Sequence, residues 1–141
     1  MKNLFLSAFM VLATTFAFAQ EKQAEINFSN QTHDFGTFAE GTQAMIEFEF
    51  TNKGNAPLVL SSVSASCGCT TPEWPKEPIM PGQTGKIKAI YNSTGRPGSF
   101  TKSITVNSNA KNGTTILTIK GVVEPKKVAP TSPVVNPKPG N

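Results

Sequence analysis

An all-β fold is predicted, an immunoglobulin-like β-sandwich of about seven strands, and three observations lead to it. Apolar and polar side chains alternate through the middle of the chain, the period of strands that bury one face. Turn-forming residues recur between those segments at intervals of roughly 8–15 residues. A helical apolar period is missing from the same stretch.

The chain opens with a different pattern. Lys2 supplies a basic start, and Leu4 to Phe18 is apolar apart from Ser7, Thr14 and Thr15. Ala17-Phe18-Ala19 then offers a small-x-small cleavage site before Gln20, so residues 1–19 read as a secretory signal. The apolar stretch is shorter than the ~20 residues a spanning helix needs, and no basic cluster follows it. No Cys stands at the cleavage site, which disfavours a lipid anchor. A secreted or periplasmic protein with a cleaved signal peptide is expected, with a sandwich domain over residues 20–124 and a tail over residues 125–141.

Within the domain, short strands are expected around Ile26-Asn27-Phe28 and from His33 to Phe38. The cleanest strand runs from Ala44 to Thr51, with Ala44, Ile46, Phe48 and Phe50 on one face and Glu47 and Glu49 on the other. It stops at Asn52-Lys53-Gly54-Asn55, a turn sequence. Further strands follow from Leu58 to about Ala65, Lys86 to Tyr91, Ser99 to Asn107 and Thr114 to Val123. In the Ser99 strand Phe100, Ile104 and Val106 face the core, so Lys102 on the same face must snorkel or sit beside a bulge. The chain's ten phenylalanines supply much of the core. One segment breaks the rhythm: Pro72 to Gly82 holds Pro72, Pro75, Pro78 and Pro81, and reads as an extended loop directly after the cysteines. From Pro125 onward prolines are scattered among Lys, Val, Ser and Asn with no aromatic residue, a composition expected to be disordered.

The formal net charge of +4 does not mark a nucleic-acid surface. Acidic and basic residues balance between Glu21 and Glu124, and the surplus is Lys2, Lys126, Lys127 and Lys138. A basic groove interleaved with aromatics is absent from the sequence, which disfavours nucleic acid as a partner.

The chain resembles the bacterial domain-of-unknown-function 1573 family (DUF1573). The residues that carry the resemblance are His33-Asp34-Phe35-Gly36 with Gly41, Phe50-Thr51-Asn52-Lys53-Gly54 before Pro57-Leu58, and Ser66-Cys67-Gly68-Cys69-Thr70. Pro81-Gly82, Gly95-Arg96-Pro97-Gly98 and Val106-Asn107-Ser108-Asn109 complete it. The resemblance implies an exported, Ig-like single domain and brings no activity with it.

The two cysteines, Cys67 and Cys69, carry the most specific chemistry in the sequence. Three readings stay open: a passive or structural pair, a redox-active disulfide, and a Cu(I) clamp, since soft thiolates select that ion. Residues i and i+2 of a strand lie ~6.5–7 Å apart, at the edge of what a bridge allows, and Gly68 could kink the chain to close a small ring. For copper, Met45, Met80 and His33 are conceivable further ligands; a four-ligand zinc site does not fit two cysteines and one His. Catalysis is not expected. His33 and Asp34 are neighbours on a strand and point to opposite faces, so they cannot form a relay, and the expected role of His33 or Asp34 is to cap a turn that Gly36 permits. Four Asn-x-Ser/Thr sequons, at Asn27, Asn30, Asn92 and Asn112, carry little weight beside a bacterial resemblance.

The expected function is therefore that of an exported, non-enzymatic module without cofactor that binds an envelope protein or polymer. An accessory thiol–disulfide or Cu(I)-handling role is the alternative. The partner-contact candidates are Trp74, the single tryptophan, and Met80, both in the proline-rich loop; for Trp74 the competing reading is a lid on the core.

Overall fold

The computed structural model describes residues 20–128; the expected signal peptide and residues 129–141 of the expected tail lie outside them. Eight strands follow in order: β1 (Ile26–Phe28), β2 (Thr32–Ala39), β3 (Gln43–Asn52), β4 (Leu60–Ala65), β5 (Thr70–Glu73), β6 (Thr84–Asn92), β7 (Gly98–Ser108) and β8 (Thr114–Glu124). They form two four-stranded sheets, β1-β3-β6-β5 and β2-β8-β7-β4. All pairings are antiparallel except β2 with β8, which run parallel. No helix among the described residues is long and apolar enough to cross a membrane.

The period-2 pattern places the core as expected. Phe48 and Phe50 of β3, Ile87, Ala89 and Tyr91 of β6, Ile104 and Val106 of β7, and Leu117, Ile119 and Val123 of β8 are all buried between the sheets. Tyr91 stacks flat on Phe100 across the interior, with ring centroids 4.0 Å apart and planes 11° from parallel. Each fully buried large side chain contributes about 1.5–3 kcal/mol of transfer free energy. Phe5, Phe9, Phe16 and Phe18 fall outside the described residues, and the phenylalanines of the sandwich are Phe28, Phe35, Phe38, Phe48, Phe50 and Phe100.

The structure differs from the expectation at three places and decides a fourth, Lys102, that the sequence left open. The segment after the cysteines is not wholly a loop, because Thr70–Glu73 pairs with β6 as a short edge strand. Pro72 belongs to it; a residue without an amide proton is tolerated where one side of the strand has no partner. The β4 strand begins at Leu60 rather than Leu58, which instead forms an isolated bridge with Ile79. Lys102 sits in a β7–β8 ladder of unbroken register and is half-buried, so snorkelling rather than a bulge accommodates it. Asn52 is wholly buried at the end of β3 instead of marking a solvated turn. Its Nδ2 donates to the carbonyls of Ala56 at 2.8 Å and Ile79 at 2.9 Å, and its Oδ1 accepts from the amides of Gly54 at 3.0 Å and Glu25 at 3.3 Å. One side chain thus ties together three loop segments whose polar groups would otherwise be buried unpaired.

Each sheet edge carries a feature that discourages strand addition. β1 has three residues, and β5 has four, including Pro72. β2 breaks register between Asp34 and Thr37, where Gly36 adopts φ 65° and its amide donates to Asp34 Oδ1 at 2.8 Å. Asp34 therefore caps the turn and Gly36 permits it. β4 shifts register between Leu60 and Ser62.

Candidate functional site

The cysteines lie at a corner of the sandwich. The chain leaves one sheet at Ala65 and enters the other at Thr70, and Ser66 to Cys69 make the crossing. Hydrogen bonds of the backbone and of the Ser66 hydroxyl hold both flanks of this turn. Ser66 N donates to Ser103 O at 2.9 Å, and Ser103 N donates to Ser66 Oγ at 3.2 Å. Asn92 N donates to Cys69 O at 2.9 Å. Out of the strand conformation, the two Cα atoms approach to 5.3 Å, inside the range a bridge allows, and Cys67 and Cys69 form a disulfide. Gly68 does not adopt a positive φ, and a Cβ there would meet nothing within 4 Å, so closure does not depend on glycine as the sequence suggested.

The two sulfurs have unequal surroundings. Cys69 is buried (6% exposed) and Cys67 is half-buried. Thr70 Oγ1 stands 3.8 Å from Cys67 Sγ and 3.9 Å from Cys69 Sγ. Bonded sulfurs carry no hydrogen, so the Thr70 hydroxyl is the donor, and its one hydrogen serves either sulfur or is shared between them.

The other sequence candidates are not gathered here. Met80 neighbours the Asn52 end of β3, where Gly82 N donates to Asn52 O, whereas Cys69 neighbours the Gln43 end through Asn92. The length of β3 separates them by roughly 25–30 Å. His33 is on β2, at the opposite edge of its sheet from β4, about 14 Å away across three strand spacings. Met45 points outward from β3, about 10 Å from β5 across two strand spacings. None of the three is placed to share an ion with the sulfurs, which offer no thiolate while bonded to each other. No group of three or more His, Cys, Asp or Glu suited to a metal ion occurs among the described residues.

Trp74 follows β5 and packs, half-buried, against the core, with Lys76 Nζ 2.9 Å from the centre of its ring. Its Nε1 is enclosed without a hydrogen-bond partner among the described residues. Met80 is 48% exposed.

The outer sheet faces were not singled out in the sequence. On β3-β6-β5 the outward residues include Glu47, Glu49, Lys86, Lys88 and Glu73 beside Met45 and Ile90, and two ion pairs cross the strands: Lys86 Nζ lies 3.0 Å from Glu47 Oε2, and Lys88 Nζ 3.5 Å from Glu73 Oε2. The hydrogen bond to Glu47, with its charge, holds the Lys86 pKa above its ordinary value. The outer face of β2-β8-β7-β4 is built otherwise. Its cross-strand rows are Ser62, Asn107 and Thr114; Ser64, Thr105 and Ile116; Ser103, Thr118 and Thr32; Thr101, Lys120 and Asp34; and Ser99, Val122 and Thr37. The Lys120–Asp34 pair at 3.7 Å is the one ion pair on this face among the described residues. Asn107 Nδ2 donates to Ser62 Oγ at 2.9 Å, and Thr114 Oγ1 donates to Asn107 Oδ1 at 2.8 Å, so the first row is held in place. The signal was present in the sequence as the Ser99, Thr101, Ser103, Thr105 alternation.

The strand order defines a β-sandwich of two four-stranded sheets. The chain belongs to the family described as "Protein of unknown function (DUF1573)", which matches residues 26–123. It is similar to a solved protein of unknown function from Porphyromonas gingivalis W83, with a TM-score of 0.65, 18% identity, and coverage of 77% of this chain and 51% of that one. The PapD-like domain 7 of human CEP192 matches with a TM-score of 0.63 and 9% identity, covering 89% of this chain and all of that domain. The secreted serine protease VesC of Vibrio cholerae matches with a TM-score of 0.53 and 17% identity, over 74% of this chain and 24% of that one. This chain thus spans about half the length of the first of these proteins and a quarter of the last, and at such identities the likeness is one of fold. No curated protein matches the sequence significantly.

Proposed function

We propose that the protein is an exported, non-enzymatic module of the cell envelope that binds an uncharged, hydroxyl-bearing envelope polymer across the outer face of β2-β8-β7-β4. The observation that carries this reading is the chemistry of that face: rows of Ser, Thr and Asn with exposed Ile116 (47%) and Val122 (41%), and one ion pair toward the β2 side. Hydroxyls repeat at ~4.8 Å across strands and ~6.7 Å along them, a flat array of donors and acceptors. Such an array exchanges hydrogen bonds with a polyhydroxylated chain directly or through water, and the few charges on it, Lys120, Asp34 and Glu124, are confined to the β2–β8 side. The four blunted edges favour a face over strand addition as the mode of recognition.

Export rests on the signal pattern of residues 1–19, and a disulfide between the two cysteines suits an oxidising compartment. The non-enzymatic reading is supported by the occupation of the nearest acid–base candidates. Asp34 holds the Gly36 amide and faces Lys120, and His33 packs edge-on to Phe35 at 4.6 Å.

Co-sedimentation of the protein with insoluble envelope polysaccharide tests the reading. Binding should persist from about 50 to about 500 mM salt, because no charge pairing is involved. Binding that disappears at the higher salt would assign it to lysines such as Lys126 and Lys127, and capture of a protein with no polysaccharide bound would identify a different class of partner. Either result overturns the proposal.

A further inference from the structure

We propose that the Cys67–Cys69 disulfide is a thiol–disulfide exchange site in which an external dithiol attacks Cys67 and Cys69 leaves. This goes beyond the binding reading and does not depend on it. The bridge spans a sequence separation of 2, so the ring it closes is too small to restrict the unfolded chain much, and it stabilises the fold little by that route. The turn is held by other means: the Ser66–Ser103 bonds on one flank and the Asn92–Cys69 backbone bond on the other do not involve sulfur. A bond that the fold does not need, placed at an exposed corner, is free to open and close. The same hydrogen bonds keep the two sulfurs close after reduction, which favours reclosure.

Access decides which sulfur is attacked. Cys69 is buried at 6% exposure, whereas Cys67 is half-buried beside exposed Gly68. An incoming thiolate bonds to Cys67 Sγ and the Sγ–Sγ bond breaks, its electron pair going to Cys69 Sγ. Burial opposes a thiolate at Cys69, and the Thr70 hydroxyl, 3.9 Å away, offers the hydrogen that offsets this. The second thiol of the reductant then attacks its own sulfur in the mixed disulfide and releases the Cys67 thiolate. Both thiolates take up protons. Two electrons and two protons have passed from the dithiol to the bridge, and the reductant leaves as a disulfide. Thr70 acts in this scheme directly on the leaving sulfur, as its hydrogen-bond donor.

The test places the intact, folded protein in glutathione redox buffers and counts free thiols by alkylation and mass measurement. The bridge should reach a reversible equilibrium between oxidised and reduced forms in the native state, with a melting temperature nearly the same in both. A bridge that stays oxidised under excess glutathione until denaturant is added would overturn the proposal. Direction of attack is read from two variants exposed to oxidised glutathione. The Cys67 thiol of Cys69→Ser should form the mixed disulfide at least tenfold faster than the Cys69 thiol of Cys67→Ser. If either variant fails to fold, mapping the glutathione adduct trapped on the native protein gives the same answer; equal or reversed preference contradicts the assignment. Thr70→Val should slow reduction several-fold without lowering the melting temperature, and an unchanged rate would remove Thr70 from the scheme.

Discussion

The two outer faces of this sandwich cover the same core and are built from opposite chemistries. The face of β3-β6-β5 alternates acids and bases that meet across strands, Glu47 with Lys86 and Glu73 with Lys88. The face of β2-β8-β7-β4 presents hydroxyls and amides with two exposed β-branched residues. The inward residues of both sheets are constrained by packing, and the outward ones are not. Exposed ion pairs contribute little to stability, so the charged face is best understood as a surface that stays solvated and repels misplaced neighbours. The hydroxyl face, with its single ion pair between Lys120 and Asp34, lacks that protection over most of its area. What differs between them is therefore informative about contact, whereas what they share is informative about folding.

The comparison holds only if both faces ride on one rigid core, and the largest expected effect tests that premise. Asn52→Ala removes four hydrogen bonds at the junction of three loop segments and should cost about 2–4 kcal/mol in chemical denaturation. Unfolding should remain a single transition with probes on both sheets coincident. Separate transitions would mean that the sheets are not one cooperative unit, and the contrast between their faces would lose its meaning.

Trp74 sharpens the contrast from a third region, the side of the sandwich. Packed against the core with Nε1 enclosed, it behaves in this account as a lid. Trp74→Ala should cost about 2 kcal/mol, less than a fully buried aromatic, and leave polymer binding per folded molecule unchanged. Lost binding at full stability would move the contact surface from the hydroxyl face to the proline-rich segment.

Alkaline titration gives a smaller effect. Burial holds the Tyr91 hydroxyl above its ordinary value of 10.0, against a weaker opposing pull from Arg96, and Glu47 holds Lys86 above 10.5. Both groups bind their proton more tightly folded than unfolded. The stability they contribute is complete below about pH 10 and falls as pH rises through the folded values. Tyr91→Phe should remove most of that loss, and Glu47→Gln only a little, because Lys86 is exposed. An alkaline loss dominated by Glu47 and Lys86 would show the charged face to be part of the folding energetics after all.

Most of this architecture was legible in the sequence because the strands have one buried face. Ala44 to Thr51 and Thr114 to Val123 lie within β3 and β8, and the alternation itself named Phe48, Phe50, Leu117 and Ile119 as core. β5 escaped because four residues are too few to show a period and Pro72 argued for a loop. Asn52 escaped because a buried hub and a solvated turn use the same residue types; only the loops that fold back on it, from Glu25 and Ile79, distinguish them. The disulfide could not be decided from strand geometry because the cysteines are in a turn, where the Cα atoms come closer than i and i+2 of a strand. The hydroxyl face was written in the sequence, yet Ser and Thr on a strand's outer side look unremarkable until register aligns β4, β7 and β8.

A matched pair of substitutions tests the central claim most directly. Ile116→Lys and Met45→Lys place the same charge at exposed positions of similar accessibility, 47% and 53%, on opposite faces. Neither disturbs the core, so both proteins should melt close to the unsubstituted one. In co-sedimentation with envelope polysaccharide, Ile116→Lys should weaken binding by about tenfold, the cost of roughly 1.4 kcal/mol for a charge left unpaired in a neutral contact, while Met45→Lys should leave it unchanged. Equal binding by the two variants, or weaker binding by Met45→Lys, would contradict the assignment of the hydroxyl face.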